Sequence, residues 1–465
     1  MNPALQPLSR QQILQLIAIM LLVATEFMQN VMVSFSALHI SEGIGATPEQ
    51  FSLSAAVYAG TAIVMIALHK WFVQHWGYRR LIQLSLVLFT VGALVCFSAD
   101  SVAVFIAGRF VQALGGATFF TASRVQINTF AGRRRLTATR YMVTGIIGFS
   151  AIGMFTATWL LTHYSWRWVF IAPLVIVAAL TWLCHFVKDP DGMFRKSTLH
   201  PGGAMTLAFA AFALQYVLER MPYDFVRRKT GLILLGLLAL TGLVLFIRHE
   251  YQRKHALLPF DRFKGDRFIA GMVLYGSCYL ILSSCYYLLP IFLARGLGLP
   301  MAGTGLILGM TSVTALCIAH AHIYLSGKYP SQRKYLVAAF VVLITFGSGM
   351  SLIAAGVWPA GWLVLTLGCL AAFASLAQGT AASNTFVGIE EDVFSQAYQT
   401  KNMMRELLNS TGISVASIVL HRYGVTHQTL GNATDVMGAC TDFFIFVAGL
   451  GALGLVVGLW QRKIV

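Results

Sequence analysis

Long apolar runs decide the architecture of this chain before any motif is read. A bilayer core about 30 Å thick is crossed by about 20 helical residues, each rising about 1.5 Å. The sequence holds fourteen such runs, near residues 12–38, 51–70, 80–98, 101–123, 140–162, 167–187, 202–219, 230–248, 268–293, 300–325, 334–355, 359–386, 395–420 and 440–461. Charge is correspondingly scarce: 11% of the 465 residues are Asp, Glu, Lys or Arg, against 57% apolar. Soluble domains carry about 25% charge, so a soluble enzyme, a secreted disulfide scaffold and a disordered regulator are excluded. Several runs are rich in glycine, which suits close helix contact in lipid, and none shows the ten-residue alternation of a β-barrel. The expected fold class is an all-α polytopic membrane protein. The first run is too long for a cleavable signal and lacks a small-residue cleavage site.

The net charge of +16 does not point to nucleic acid, because the basic residues cluster between apolar runs and form no single stripe. Such clusters mark the cytoplasmic side. With the N-terminus inside, the cytoplasmic set is Lys70, Arg79, Arg80, Arg124, Arg133, Arg134, Arg135, Arg140, Lys188, Arg195, Lys196, the run from Arg248 to Arg267, Lys328, Arg333, Lys334, Arg462 and Lys463. Arg167, Arg220, Arg227, Arg228, Lys229, Arg295 and Arg422 then face out, and both termini are cytoplasmic. The triplet Arg227, Arg228, Lys229 between the seventh and eighth spans runs against this pattern. Two loops suggest duplication: His75 to Arg80 after the second span and Tyr329 to Lys334 after the tenth both end in a basic pair that starts the next helix. The expected organisation is a six-helix half at 1–190, two inserted helices and a linker at 191–266, and a second six-helix half at 267–465. Internal duplication is a transporter trait, with the substrate site near the midplane between the halves.

Five ionisable side chains lie inside the spans, each costing about 2.5 to 3.5 kcal/mol on insertion scales. They are Glu26 in the first, Arg109 in the fourth, and Lys401, Arg405 and Glu406 in the thirteenth. Glu26 stands about 21 Å above the cytoplasmic start of its helix and Arg109 about 12 Å below the outer start of its own. In a core of about 30 Å these depths nearly coincide, so geometry allows an ion pair or a shared polar cavity. Asn30, four residues after Glu26, and Gln112, three after Arg109, extend both polar faces, and Gly116 on the Arg109 stripe leaves room for a helix or a ligand. Two readings stay open. The pair pins the first helix to the fourth, or Glu26 exchanges a proton that Arg109 answers, which is the bistable charge a coupled transporter needs.

In the thirteenth span Lys401, Arg405 and Asn409 share one face, where like charges repel unless water, a carboxylate or an anionic ligand lies opposite. Lys401, near the cytoplasmic end, has a snorkelling alternative. Glu406 points about 100° away from Arg405, which leaves its role open. His320 and His322 are two residues apart and share no helix face, so packing is expected of them. Gly148-Phe149-Ser150 contains a GxS but has no partnered histidine at matching depth. The seven cysteines lie singly with no CxxC, and neither a metal nor a cofactor is expected. No GxxxxGK[ST] loop occurs, which excludes ATP-driven pumping by this chain.

The ordered motifs resemble the major facilitator superfamily, specifically its fourteen-helix drug:proton antiporters of the EmrB/QacA type. Gly108-Arg109-Phe110-Val111-Gln112-Ala113-Leu114-Gly115-Gly116 is similar to the RxxQGxG motif, whose Arg is implicated in proton coupling. Trp166-Arg167-Trp168-Val169-Phe170 matches WRWxF, and Leu214-Gln215 to Glu219-Arg220 with Asp224-Phe225 resembles LQxxLDRG…DWF. Pro259-Phe260-Asp261-Arg262-Phe263, Tyr286-Tyr287-Leu288-Leu289-Pro290 and Asn402-Met403-Met404-Arg405 fit the segments around the ninth and thirteenth spans. Three departures matter. The GxLaDRxGRR loop appears as Lys70 to Arg80 with Gln74 for the Asp and His75 for the Arg, keeping Gly77, Arg79 and Arg80. The GPxxGG motif aligns to Gly153 to Thr158 without its Pro or final glycines. The first-span Asp falls on Gln29 or Asn30, and Glu26, one turn earlier, is the available replacement.

The resemblance implies a fourteen-helix major facilitator bundle and a non-enzymatic function: proton-coupled efflux of a hydrophobic or amphipathic small molecule by alternating access. Glu26 would carry the proton and Arg109 respond, with Asn30, Gln112, Gly116, Asn402 and Arg405 along the substrate path and Gly77, Arg79 and Arg80 at the cytoplasmic gate. It also implies a bacterial inner-membrane location and allows a periplasmic adaptor and an outer-membrane channel as partners. Two alternatives stand: transport of an organic anion, siderophore or acidic metabolite, since cations outnumber carboxylates inside the spans, and a non-transporting receptor or scaffold.

Overall fold

The computed structural model describes residues 8–130, 132–187, 200–253, 256–263, 265–386, 388–390, 393–424 and 432–460. Lys188, Arg195, Lys196, Lys254, Lys264, Arg462 and Lys463, all from the cytoplasmic charge set, lie outside the described residues, as do the side chains of Arg133 and Arg227. Among the described residues every regular element is a helix.

Helix α1 (Arg10–Phe35) starts at a capping box: Ser9 Oγ accepts from the Gln12 amide at 3.2 Å and the Gln12 side chain accepts from the Ser9 amide at 3.1 Å. A short α2 (Ala37–Gly43) leads to α3 (Pro48–Phe97), capped the same way by Thr47 and Gln50, with Pro48 in its first turn. Helix α3 holds two expected spans. They part at Gly77, where φ is 75° and ψ 164°, a conformation essentially confined to glycine that costs other residues about 1–3 kcal/mol. Tyr78 follows at once and is fully buried against the second half of the helix. Helices α4 (Val102–Gly116) and α5 (Phe119–Ile127) share the fourth span and are broken at Ala117 and Thr118.

The fifth span is α6 (Gly132–Val143), one π-helical turn at Thr144–Gly148, and α7 (Phe149–His163). Ser150, of the GxS, donates its hydroxyl to the Ile146 carbonyl at 2.6 Å. The WRWxF segment forms a 3-10 turn at Trp166–Phe170 ahead of α8 (Leu174–Leu183). Arg167 donates to the carbonyls of Phe97 and Ala99 at 3.0 and 2.7 Å and pairs with Asp100 at 2.5 Å. The signature arginine therefore satisfies carbonyls at the end of α3 that the helix leaves unpaired.

Helix α9 (Pro201–Tyr251) contains both inserted spans and bends at Arg228, where φ is −126° and ψ 27°. The basic triplet that opposed the charge rule sits on this bend and not in a loop. Then come α10 (Asp266–Ile291), α11 (Met301–Lys328), α12 (Gln332–Ala354), α13 (Leu363–Asn384), α14 (Phe394–Arg422) and α15 (Ala433–Trp460). Twelve helical stretches among the described residues are long and apolar enough to cross a membrane. One of them, Gln50–Phe97, is the pair of crossings that meet at Gly77, and α14, too polar to be counted with the twelve, completes the fourteen expected.

The chain forms two compact units. The first comprises Met1–Ser150, Ser165–Lys264 and Gly388–Leu407, and the second Ala151–Tyr164, Gly265–Val387 and Leu408–Val465. Lipid tails are as apolar as leucine, so helices in a membrane are held by close packing and internal hydrogen bonds and not by hydrophobic burial. In the first unit Gly92 of α3 faces the backbone of Gln112, and any side chain there would strike it. A layer of Leu22, Tyr78, Leu86, Phe89, Phe119 and Leu180 packs α1, α3, α5 and α8 together. In the second unit the Ser284 hydroxyl donates to the Gly412 carbonyl at 2.7 Å, and Phe444 packs edge-on against Phe346 and Phe292. His322 is buried with its ring 4.7 Å from that of Tyr335, the packing role its sequence spacing implied.

Candidate functional site

Among the charges buried in the first unit, which include Lys70, Glu219 and Glu250, two places hold residues singled out in the sequence. The first centres on Glu26, which is 2% exposed on α1. Its Oε1 accepts from Arg405 Nη2 at 2.6 Å, and its Oε2 accepts from the Phe120 amide at 3.1 Å. The break after Gly116 makes the second contact available. Phe120 is the second residue of α5, and amides in a first helical turn have no partner in their own helix and favour negative charge. Arg405 also binds the carboxylate of Glu406, and its guanidinium lies 4.2 Å from the Phe120 ring centre and 5.2 Å from that of Phe27. One cation thus holds two carboxylates between two aromatic faces. Asn402, one turn earlier on α14, donates to Thr121 Oγ1 at 2.9 Å.

The second place centres on Arg109 of α4, 5% exposed. Its Nη1 donates to Gln112 Oε1 at 2.6 Å, and its guanidinium stands 4.3 Å from the ring centre of Tyr58 on α3. Gly116 belongs here too: a Cβ at that position would come within 2.9 Å of the Tyr58 hydroxyl. No carboxylate bonds Arg109 among the described residues. Its compensation is an amide and an aromatic ring, an arrangement worth about 2 kcal/mol when desolvated.

The Glu26–Arg109 ion pair that depth alone allowed does not form. Glu26 meets the fourth span at Phe120, about three turns beyond Arg109. Tyr58 stands with its ring 4.3 Å from the Arg109 guanidinium. Glu406, whose role the helical angle left open, belongs to the Glu26 cluster because two long neighbouring side chains on α14 reach one point. Lys401 is 2% exposed and lies 5.6 Å from the Tyr398 ring centre, so it is buried and does not snorkel.

Asn30 is half-buried, whereas its neighbour Gln29 is enclosed, with neither amide atom bonded to a described residue. Arg79 and Arg80 are exposed and follow buried Tyr78 just after the Gly77 turn. His75, standing where the resemblance expects an arginine, bonds through Nδ1 to the Trp71 carbonyl at 2.8 Å and stacks on the Trp71 ring at 4.3 Å. Tyr58, Phe120 and Thr121 were not singled out in the sequence. Tyr58 carried a readable signal, a tyrosine among small residues on a span facing Gly116. The Phe120 contact had none, being a backbone group.

Comparison with known proteins gives three results. The family model for the Major Facilitator Superfamily matches residues 16–400. Among curated proteins, the chain is 25% identical over 435 residues to a protein named putative multidrug resistance protein MdtD from Cronobacter sakazakii, covering 90% of this chain and 88% of that one. It is 24% identical over 420 residues to the protein of the same name from Klebsiella pneumoniae (strain 342), covering 88% and 87%. Among solved structures, the human organic anion transporter MFSD10 has a TM-score of 0.63 at 14% identity, over 96% of this chain and all of that one. The xylose transporter XylE from E. coli, in a partially occluded inward-open conformation, has a TM-score of 0.62 at 13% identity, over 95% and 97%. At these identities the structural likeness establishes the fold.

Proposed function

This chain belongs to the Major Facilitator Superfamily, and on that premise we propose that it couples proton movement to the export of an amphipathic small molecule by alternating access. The observation that carries the reading is the Glu26–Arg405–Glu406 cluster. Burying an unpaired ion is prohibitive, so a carboxylate enclosed in a membrane protein is either held by a cation or protonated. With Glu26 ionised, Arg405 ties α14 to α1. When Glu26 takes a proton its hold on Arg405 weakens, and Glu406 keeps the guanidinium. The proton is thereby a ligand with different affinities for two arrangements, which is the condition for driving one into the other.

Within this reading Glu26 is the proton carrier and Arg405 its direct partner. Arg109 responds through Tyr58. Asn30, Gln112, Gly116, Asn402 and Arg405 line the substrate path, and Gly77, Arg79 and Arg80 form the cytoplasmic gate, with Gly77 as its fixed turn. The rocking bodies are the halves 1–190 and 267–465, with 191–266 as the insert, in a bacterial inner membrane with both termini cytoplasmic. Export and drug-like substrates are supported by the names of the relatives, and a periplasmic adaptor with an outer-membrane channel is the partnership the family resemblance implies. Flux of a fluorescent substrate in proteoliposomes under an imposed pH gradient tests the cycle. Glu26→Gln is expected to abolish pH-driven flux while leaving counterflow at equal pH; undiminished pH-driven flux in this variant overturns the proton role.

A further inference from the structure

Helix α9 doubles back at Arg228, so its two ends meet: the His200 ring at its start lies 4.7 Å from the His249 ring near its finish. Between the ends is a cavity of about 430 Å³, lined on one side by His200, Gly202 and Gly203 and on the other by Arg248, His249 and Gln252. His200 Nδ1 accepts from the Gly203 amide at 3.0 Å, which leaves Nε2 to carry the proton of the neutral ring. The Ala204 amide donates to the His200 carbonyl at 3.0 Å, and Pro201 has no amide hydrogen. Of the donors in this first turn, that of Gly202 remains for an outside acceptor. Together with Arg248 and His200 Nε2 it gives the cavity a rim of donors suited to a phosphate.

The floor of the cavity calls for the opposite charge. Glu250 is fully buried, and its Oε2 accepts from the amides of Leu257 and Leu258 at 2.6 and 3.2 Å. Its Oε1 has no hydrogen-bond partner among the described residues, so Arg253, one turn on, does not serve it. This oxygen faces the bare side of Gly203: a Cβ there would stand 3.9 Å from it, 3.7 Å from His200 Nδ1 and 3.6 Å from His249 Cδ2. A buried carboxylate oxygen without a donor lowers stability. A purely anionic ligand would bring its charge against Glu250, and a purely cationic one would meet Arg248. A group carrying both a phosphate and N–H donors satisfies the rim and the floor together.

The surroundings are apolar and open. Met205 and Phe209 on the first leg of α9 and Leu245 on the second are exposed, and Leu245 and Phe246 supply an apolar wall of the cavity. Acyl chains therefore have a path along the helix beside the polar rim, and basic pockets at the membrane end of spans suit lipid headgroups. We infer that this cavity seats the headgroup of an aminophospholipid, with its phosphate on Arg248, His200 Nε2 and the Gly202 amide and its ammonium toward Glu250. The site lies wholly within the inserted pair of spans and gives that pair a role, anchorage to one leaflet, that proton coupling does not require.

The test titrates the full chain in detergent with phosphatidylethanolamine, phosphatidylcholine and phosphatidylglycerol of identical acyl chains and counts bound lipid by native mass spectrometry. Phosphatidylethanolamine is expected to bind about tenfold more tightly than the other two, since choline has no N–H to donate and glycerol no positive charge. Arg248→Gln should weaken all three about tenfold, as for loss of one charge-assisted hydrogen bond. Glu250→Gln, whose amide oxygen can still accept from Leu257 and Leu258, should weaken phosphatidylethanolamine alone and erase the preference. Gly203→Leu puts a side chain into the cavity and should lower phosphatidylethanolamine affinity severalfold with the melting temperature unchanged or raised. If Glu250→Gln does not fold, the wild-type preference and Gly203→Leu decide. Equal binding of the three lipids, or phosphatidylethanolamine affinity unchanged in Arg248→Gln and Gly203→Leu, overturns the proposal. Glycerophosphoethanolamine, the same headgroup without acyl chains, separates a lipid from a soluble source. It should fail to displace the lipid even in large excess; displacement at the lipid's own affinity overturns the assignment to a lipid.

Discussion

The two charged places in the first unit solve the same problem in opposite ways. At Glu26 the buried charges are of both signs, and Arg405 is balanced by two carboxylates. At Arg109 the charge is of one sign, softened by Gln112 and by the face of Tyr58. In the proposed cycle the first is the place that changes state, because a carboxylate can take a proton; the second has no such group, because arginine stays protonated. The difference teaches which site can switch and which can only respond. It also separates two arginines that sequence alone presents as equivalent intramembrane cations.

The largest break in that symmetry should come from Arg405→Met. This change strands Glu26 and Glu406 without their shared cation and is expected to cost about 3–5 kcal/mol, read as a fall in the denaturation midpoint in detergent. Arg109→Met strands no carboxylate, so its cost should be clearly smaller; equal costs would erase the distinction.

Next in size is a pair of double-mutant cycles. Glu26→Gln with Arg405→Met should show a coupling energy of up to about 3 kcal/mol, while Glu26→Gln with Arg109→Met should add within about 0.5 kcal/mol. Strong coupling in the second cycle would revive the direct contact that depth arithmetic suggested. Smaller still, Tyr58→Leu removes the ring beneath Arg109 and should cost about 1–2 kcal/mol. Tyr58→Phe keeps the ring and should fall within about 0.5 kcal/mol, typical of a change that leaves the main contact intact. If the Phe variant is as damaging as the Leu variant, the hydroxyl and not the ring is what Arg109 needs.

Much of this architecture was legible because hydropathy reports solvent directly, and the solvent here is lipid. The fourteen runs correspond to helices, including the two pairs that the structure joins at Gly77 and Arg228. Every charge in the Glu26 cluster had also been marked as out of place in its span. Their partnership was not legible, for two physical reasons. Depth counted from a nominal helix start assumes a straight, upright helix, and the break between α4 and α5 is a departure that Gly115 and Gly116 permit but do not announce. Helical angle describes where a Cβ points, whereas Glu406 and Arg405 are long enough to converge from adjacent positions.

The amide of Phe120 has a consequence for how this protein is probed. A scan that replaces side chains one at a time will map Glu26, Arg405 and Glu406 but will pass over a donor that every amino acid except proline supplies equally. At position 120 it would register only the loss of the ring that faces Arg405. The map would then miss one of the two groups that hold Glu26. Only a change to the chain itself, a proline at 120 or an ester in place of that one peptide bond, makes this part of the site visible.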